Sequence, residues 1–179
     1  MKKNWIALIA ALLIPQIFGL VGAAATASSV STWYRRLRKP SWNPPSQVFA
    51  PVWTTLYALM GLASWIVWQK GQAKNRALPE RLAPADFAVE DPQARQALTV
   101  YGLQLVFNLL WSIIFFGFRS VGAALVEILV LNAMIFETVR RFLRIDRRAA
   151  ALLVPYQLWT AFATVLTAEV WRLNRRTER

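Results

Sequence analysis

Long apolar runs separated by short basic segments dominate the pattern of this chain. Four runs contain no Asp, Glu, Lys or Arg, and they cover residues 4–34, 40–69, 96–118 and 149–168. A fifth run, 120–139, is interrupted only by Glu127 and Glu137. A helix of about 20 apolar residues crosses the hydrocarbon core of a bilayer, which is roughly 30 Å thick. The runs are continuous rather than alternating, and an open sheet would leave unpaired edges in lipid. The pattern therefore predicts an all-α integral membrane protein, a five-transmembrane-helix bundle.

The boundaries of these helices follow from capping residues. We expect one domain, 1–179, with helices at about 5–27, 47–69, 92–118, 120–143 and 148–172 and a polar, solvent-exposed linker at 70–91. Asp91-Pro92 predicts the start of the third helix, because a carboxylate N-cap followed by proline satisfies the first turn. Ser46 is the expected cap of the second helix. Only Phe118-Arg119-Ser120 separate helices three and four, which predicts a tight antiparallel hairpin.

The first apolar run has a second interpretation. A basic start, Met1-Lys2-Lys3, and the small residues Ala23 to Ser28 are also features of a cleaved secretory signal. The apolar core of such a signal is usually about 7–15 residues long. Because 5–27 is long enough to span a bilayer, we favour a retained helix.

Composition removes several chemistries. The chain has no Cys and no His, so thiolate, imidazole and ordinary zinc or haem ligands are absent, and we expect no metal site and no bound cofactor. The net charge of +12 is spread over helix ends, where Lys and Arg meet lipid phosphates, rather than in one continuous stripe. Membrane lipids are thus the expected partners and nucleic acid is not. Basic residues are nearly balanced between the two sides, which leaves the orientation open.

The segment from Trp33 to Tyr57 is unusually rich in aromatic residues and proline for a connection between two membrane helices. Stiff, amphipathic rings at this density favour a lid or wall against a flat, apolar ligand. Residues 33–45 would form the lid, and Trp53 and Tyr57 would belong to the wall.

Three helices carry aromatic or amide stripes at helical spacing. They consist of Trp53, Tyr57, Met60 and Ser64 in the second helix, Gln104, Asn108, Trp111 and Phe115 in the third, and Tyr156, Trp159, Ala163 and Leu166 in the fifth. Each stripe alone is explained by bundle packing. Two amides one turn apart are costly toward lipid, so Gln104 and Asn108 should face the interior. They would there either join helices or orient a ligand.

Charged, proline and small residues inside the spans complete the pattern. Ion pairing explains two of the carboxylates, because Arg140 and Arg141 lie one turn from Glu137 and Arg172 lies one turn from Glu169. Glu127 has no local partner and is a candidate for a role in transport. Pro15 and Pro155 should kink their helices. The small-residue repeat Gly19, Ala23 and Ala27 fits either a dimer contact or packing within the bundle.

The chain resembles the TspO/MBR family of tryptophan-rich sensory and translocator proteins. The resemblance is carried first by Trp33-Tyr34, Leu37, Lys39-Pro40, Trp42, Pro44-Pro45, Val48-Phe49, Trp53 and Leu56-Tyr57. It continues in Gln104, Asn108, Trp111 and Phe115-Phe116-Gly117, and in Pro155-Tyr156, Trp159 and Ala161-Phe162-Ala163-Thr164. The three motifs occur in the same order as in the family and cover nearly the whole chain outside residues 70–95.

This resemblance implies a homodimer of five-helix protomers that binds tetrapyrroles such as protoporphyrin IX beneath the 28–46 loop, with sterols or benzodiazepine-type drugs as further ligands. The implied ligand-binding residues are Tyr34, Trp42, Trp53, Tyr57, Gln104, Asn108, Trp111, Phe115, Tyr156, Trp159 and Ala163. Arg35, Arg36 and Arg38 would pair with ligand carboxylates. Segment 165–172 lacks the tyrosine of the animal members' sterol pattern, which argues against sterol binding, and the bacterial style of the sequence favours a porphyrin.

Two other functions remain open. Light- and oxygen-dependent degradation of the porphyrin is one, with Trp53 and Trp159 as candidate catalytic residues, since no acid–base or nucleophile constellation is present. Transport or regulation of tetrapyrrole traffic is the other, although no inverted repeat indicates alternating access. The expected location is a multi-pass position in the bacterial cell envelope, in either the inner or the outer membrane.

Overall fold

A computed structural model describes residues 2–73, 89 and 91–175 of the chain. It contains five long helices, which are α1 (Lys2–Ser29), α2 (Ser46–Ala73), α3 (Pro92–Ser112), α4 (Val121–Leu143) and α5 (Arg147–Asn174). π-Helical turns extend α1 through Val30–Tyr34 and α3 through Ile113–Gly117. All five helices are long and apolar enough to cross a membrane. The predicted five-helix architecture is confirmed.

The helix ends agree with the predicted capping in part. Asp91 accepts a hydrogen bond from the backbone N–H of Gln93 at 3.0 Å, as an N-cap should. Ser46, predicted as a cap, is instead the first residue of α2. Residues 70–73 were assigned to the linker, but they form the last turn of α2. The exposed loop predicted for 74–88, with Pro79 and Pro84, lies outside the described residues.

The first helix is longer than predicted. It was expected to end at residue 27, but helical backbone continues through the π-turn to Arg36. The hydroxyls of Ser31 and Thr32 both donate to the carbonyl of Ser28, at 3.0 and 2.7 Å, and such side-chain bonds commonly accompany distorted helical turns. Trp33 and Tyr34 therefore sit on a helical extension, and the irregular lid is confined to residues 37–45.

Helix α2 has three neighbouring helices in the bundle. It packs against α1, α3 and α5, while α4 packs between α3 and α5. Since α1 and α3 are also in contact, the five helices close into a ring in the order α1, α2, α5, α4, α3, and α2 also contacts α3 across it. The connection between α3 and α4 is as tight as predicted, with Arg119 at a φ of 56° and Ser120 donating its N–H to the carbonyl of Ile114.

The small residues of α1 are divided between two roles. A side chain at Gly19 would collide with the ring of Tyr57, so this glycine makes room for Tyr57 within the bundle. Ala23 and Ala27 are exposed on the outside of α1. The repeat is thus not one continuous face for a single partner.

The close crossing of α1 and α2 depends on Gly61. A Cβ at this position would lie 2.5 Å from the carbonyl oxygen of Ala11 and 2.8 Å from the Cα of Leu12. Pro15 cannot donate to the Ala11 carbonyl, because proline has no N–H. Gly61 therefore packs directly against the α1 backbone at Ala11, whose carbonyl Pro15 leaves without its helical hydrogen bond.

We expect Gly61→Ala to destabilise the bundle by about 1–3 kcal/mol, because the backbone that the new methyl group meets must shift. Thermal unfolding in detergent measures this. Gly102→Ala is the matched control, since a Cβ at Gly102 meets nothing within 4 Å, and it should leave the unfolding temperature unchanged or raise it. Equal behaviour of the two variants would contradict the close crossing.

Candidate functional site

A chain of buried hydrogen bonds joins α2, α3 and α5. The hydroxyl of Tyr57 donates to Asn108 Oδ1 at 2.8 Å, and Asn108 Nδ2 donates to the hydroxyl of Tyr156 at 3.1 Å. The Tyr156 hydroxyl in turn donates to Gln104 Oε1 at 3.0 Å. Gln104 and Asn108 are only 1% and 3% exposed, so the expectation that both amides face the interior is confirmed.

Aromatic rings enclose this network on the side of α2 and α5. The ring centroid of Trp53 lies 5.3 Å from that of Tyr57 and 6.2 Å from that of Tyr156. Trp159 contacts Phe49 and Phe162, and Phe162 also contacts Trp42 in the lid, all at centroid distances of 5.5–6.0 Å. The two candidate tryptophans thus belong to one wall but contact different partners.

The two π-helical turns form a second wall. Trp33 and Tyr34 on the α1 extension meet Phe115 and Phe116 on the α3 extension, with ring centroids 5.5–6.0 Å apart. Trp111 stacks on Phe115 at 5.2 Å and an interplanar angle of 28°. π-Helical turns occur frequently at functional sites, because they turn side chains away from the regular helical register.

Two buried donors on the α3 stripe are unused. Among the described residues, neither Gln104 Nε2 nor Trp111 Nε1 has a hydrogen-bond partner, although both are shielded from solvent. Leaving a buried donor unsatisfied costs about 1–3 kcal/mol. The two N–H groups could therefore bind a ligand that carries acceptor atoms.

The lid is fixed to the far end of the chain. The N–H of Arg38 donates to Asn174 Oδ1 at 3.0 Å, and Asn174 Nδ2 donates to the Arg38 carbonyl at 2.9 Å. Within the lid, Asn43 Oδ1 accepts a hydrogen bond from the hydroxyl of Tyr34 at 3.3 Å. Because Asn174 is the last residue of α5, the lid covers the end of the bundle at which both π-turns lie.

Lys39 places a cation against one of the aromatic walls. Its Nζ lies 4.5 Å from the centroid of the Tyr34 ring and donates to the Leu37 carbonyl at 3.2 Å. Burial lowers the pKa of Lys39 below that of a free lysine side chain. The arginines expected to pair with ligand acids, Arg35, Arg36 and Arg38, are all exposed.

The carboxylates of the spans divide as predicted. Glu137 forms ion pairs with Arg140 and Arg141 at 2.7 Å, and Glu169 pairs with Arg172 at 2.6 Å. Glu127 is 9% exposed. Neither of its oxygens has a hydrogen-bond partner in the described part of the chain. A role of Glu127 in transport stays a prediction.

The predicted site residues occupy one half of the bundle. All three stripes face inward, and Ala163 packs against the same core as Trp53 and Trp159. The site residues fill the space between the helices themselves. Two adjoining, half-open hollows of about 230 Å³ each lie elsewhere, between α1 and α2, and are lined by Asn4, Trp5, Leu8, Trp65, Trp68, Gln69 and Gln72.

Sequence reasoning missed three contributors to the site, which are Lys39, Asn43 and Asn174. Lys39 and Asn43 lie within or beside the quoted motif, but their roles depend on how the lid folds back. Asn174 lies two residues beyond the predicted end of the fifth helix. Its bonds to Arg38 join residues 136 positions apart, so no local signal indicates them.

The chain is similar to known membrane proteins along most of its length. The model of the TspO/MBR family matches residues 11–172. The translocator protein of Homo sapiens is 35% identical to the chain over 97% of it and 94% of its own length. The translocator protein of Bos taurus is 33% identical over 98% of the chain and 94% of its own length. The tryptophan-rich sensory protein of Cereibacter sphaeroides is 37% identical over 86% of this chain and 85% of its own length.

Proposed function

Because the chain belongs to the TspO/MBR family and is a multi-pass integral membrane protein, we propose that it binds a tetrapyrrole such as protoporphyrin IX between its helices under the lid. The observation that carries this proposal is the pair of aromatic walls around a buried polar network with two unused N–H donors. A flat, apolar macrocycle can stack on the rings, and its polar atoms can accept from Gln104 Nε2 and Trp111 Nε1.

The proposed binding residues are those that the resemblance implied. They are Tyr34, Trp42, Trp53, Tyr57, Gln104, Asn108, Trp111, Phe115, Tyr156, Trp159 and Ala163. Ten of them belong to the hydrogen-bond network or to the two walls described above, and Ala163 lies beside Trp159 on the inner face of α5. We add Lys39, whose ammonium group sits over the Tyr34 ring and can pair with a ligand carboxylate.

Ligand entry requires the lid to move. The network residues are almost fully buried against one another, and separation of the rings of Trp42 and Phe162 would open a route to them for a macrocycle. Trp42 is 46% exposed and lies on the irregular part of the lid, so its ring can leave Phe162 without unwinding a helix. The clamp between Arg38 and Asn174 would act as the hinge of this motion.

Titration of the purified protein with protoporphyrin IX tests the proposal. We expect saturable quenching of tryptophan fluorescence and a shift of the porphyrin absorption band, both with the same dissociation constant. Detergent micelles without protein are the control, because porphyrins partition into them. A linear, nonsaturable change equal to that of the micelles would contradict the binding function.

We also propose that the protein is a homodimer. The outer face of α1 is the most exposed of the five spans and carries large apolar residues such as Leu13 and Leu20 beside the small Ala23 and Ala27. Small residues allow two membrane helices to approach closely. Native mass spectrometry should show two copies per particle, and a purely monomeric mass would contradict the proposal.

Replacing Lys39 should weaken binding of a dicarboxylic porphyrin selectively. We expect Lys39→Gln to lower the affinity for protoporphyrin IX by roughly five- to fiftyfold, because a charge-assisted hydrogen bond at a partly buried site is lost. The affinity for the dimethyl ester, which has no carboxylates, should change less than twofold. In the parent protein, the preference for the diacid should vanish as the pH rises through the Lys39 pKa, which burial places below its usual value.

Arg36→Gln is the matched control for Lys39→Gln, because it removes one charge from an exposed residue three positions away. It should leave both affinities unchanged. Equal losses in the two variants would mean that only the overall positive charge of the lid matters.

A further inference from the structure

We propose that the turn between α4 and α5 holds the headgroup of an anionic phospholipid. Three guanidinium groups, those of Arg144, Arg147 and Arg148, lie within five residues of each other at this turn, and all three side chains are exposed. We call them the arginine patch. It lies at the end of the bundle opposite the lid, and its proposed ligand is unrelated to the tetrapyrrole.

The arginine patch is held on a rigid turn. The N–H groups of Ile145 and Asp146 both donate to the Phe142 carbonyl, at 2.9 and 2.8 Å, and Ile145 packs against the hydrophobic core. The Asp146 carboxylate caps α5 by accepting from the N–H groups of Arg148 and Ala149. Since the same carboxylate lies 3.6 Å from Lys70 Nζ, its charge is already compensated.

The arginines are not explained by contacts within the described part of the chain. No ion pair in residues 2–73, 89 and 91–175 involves any of the three, whereas the neighbouring Arg140 and Arg141 are both paired with Glu137. Arg147 and Arg148 also occupy the first turn of α5, which has no acidic residue. Positive charge there opposes the helix dipole, so helix stability does not account for these residues.

The surroundings of the arginine patch fit a lipid rather than a free anion. The patch lies where one membrane span ends, at Leu143, and the next begins, at Arg147, and lipid phosphates are found at this depth. Exposed apolar side chains continue from it toward the bilayer interior along both helices, and they are Phe136 and Leu143 on α4 and Val154 and Leu158 on α5. Guanidinium groups bind a phosphate through paired hydrogen bonds, while the apolar residues would contact the acyl chains.

Native mass spectrometry of the full chain, titrated with phosphatidylglycerol or phosphatidylcholine, tests this proposal. The variant Arg144→Gln/Arg147→Gln/Arg148→Gln should bind phosphatidylglycerol at least tenfold more weakly than the parent, with phosphatidylcholine binding unchanged. The control, Arg35→Gln/Arg36→Gln/Arg38→Gln, removes the same charge from three exposed arginines at the opposite end. It should lose less than twofold.

Equal losses in the two triple variants, or no loss in the first, would overturn the proposal, because binding would then reflect net charge alone. Millimolar inorganic phosphate should not displace phosphatidylglycerol from the parent, and displacement would show that the patch takes a free anion instead. If the first triple variant does not fold, Arg147→Gln alone provides the test. It should lose about threefold, and an unchanged affinity would contradict the proposal.

Discussion

Replacing Asn108 by leucine should destabilise the bundle and greatly reduce ligand affinity, the largest combined effect that we expect from a single substitution. The Asn108 amide is the only described group that joins the Tyr57 and Tyr156 hydroxyls. Leucine has a similar volume but leaves the Tyr57 hydroxyl without an acceptor in the bundle interior. Hydrogen bonds between membrane helices are worth about 0.6–2 kcal/mol each, so the two lost bonds should cost roughly 1–4 kcal/mol.

The effect on the ligand follows from geometry. Tyr57 and Tyr156 position Trp53, whose ring contacts both of theirs, so loss of the amide should disturb the wall as well as the network. We expect a loss of tenfold or more in protoporphyrin IX affinity, measured by absorption titration. The unfolding temperature in detergent reports the stability part of the effect.

Two further variants distinguish a network effect from a packing effect. Adding Tyr57→Phe to Asn108→Leu removes the orphaned hydroxyl, and it should recover part of the lost stability. Asn132→Leu removes a different amide, which is half-buried and bonds Thr164, Gln157 and Thr160 between α4 and α5. This control should lower stability without changing ligand affinity. If Asn108→Leu matches the parent in both measurements, the network has no role in the site.

The parts of this structure that sequence predicted correctly are those with a local cause. Spans follow from charge-free runs, and the N-cap at Asp91 follows from a carboxylate placed before proline. The inward direction of Gln104 and Asn108 follows from the cost of exposing amides to lipid. Each of these inferences needs only neighbouring residues and the nature of the solvent.

The parts that sequence missed depend on distant residues. The sequence left Gly19 open between a dimer contact and packing within the bundle, and the choice depends on the ring of Tyr57, 38 positions further along, which packs against it. The contact of the Lys39 ammonium group with the Tyr34 ring was not predicted, because it depends on how the lid folds back, while the pairing of Arg35, Arg36 and Arg38 with ligand acids stays a prediction. The extension of α1 beyond residue 27 was missed because hydroxyl-rich segments with few apolar residues resemble loops, although Ser31 and Thr32 bond back onto the helix.

Replacing Trp53 and Trp159 together by phenylalanine should weaken tetrapyrrole binding by roughly five- to a hundredfold. Each indole contributes stacking area to the wall, and an aromatic ring contact is worth about 0.5–1.5 kcal/mol beyond the area that it buries. Phenylalanine preserves an apolar ring at both positions, so the bundle should still fold. Porphyrin absorption is the appropriate measurement, because the substitution itself changes tryptophan fluorescence.

The matched control removes two tryptophans from outside the site. Trp5 is 66% exposed and Trp171 is 36% exposed, and neither belongs to the two walls. Trp5→Phe/Trp171→Phe should bind the porphyrin as the parent does. If the Trp53/Trp159 variant binds equally well, the wall assignment is wrong. If, in addition, that variant no longer consumes porphyrin in light, the two indoles take part in the degradation reaction and do not contribute to affinity. The degradation function that the sequence left open would then replace simple binding.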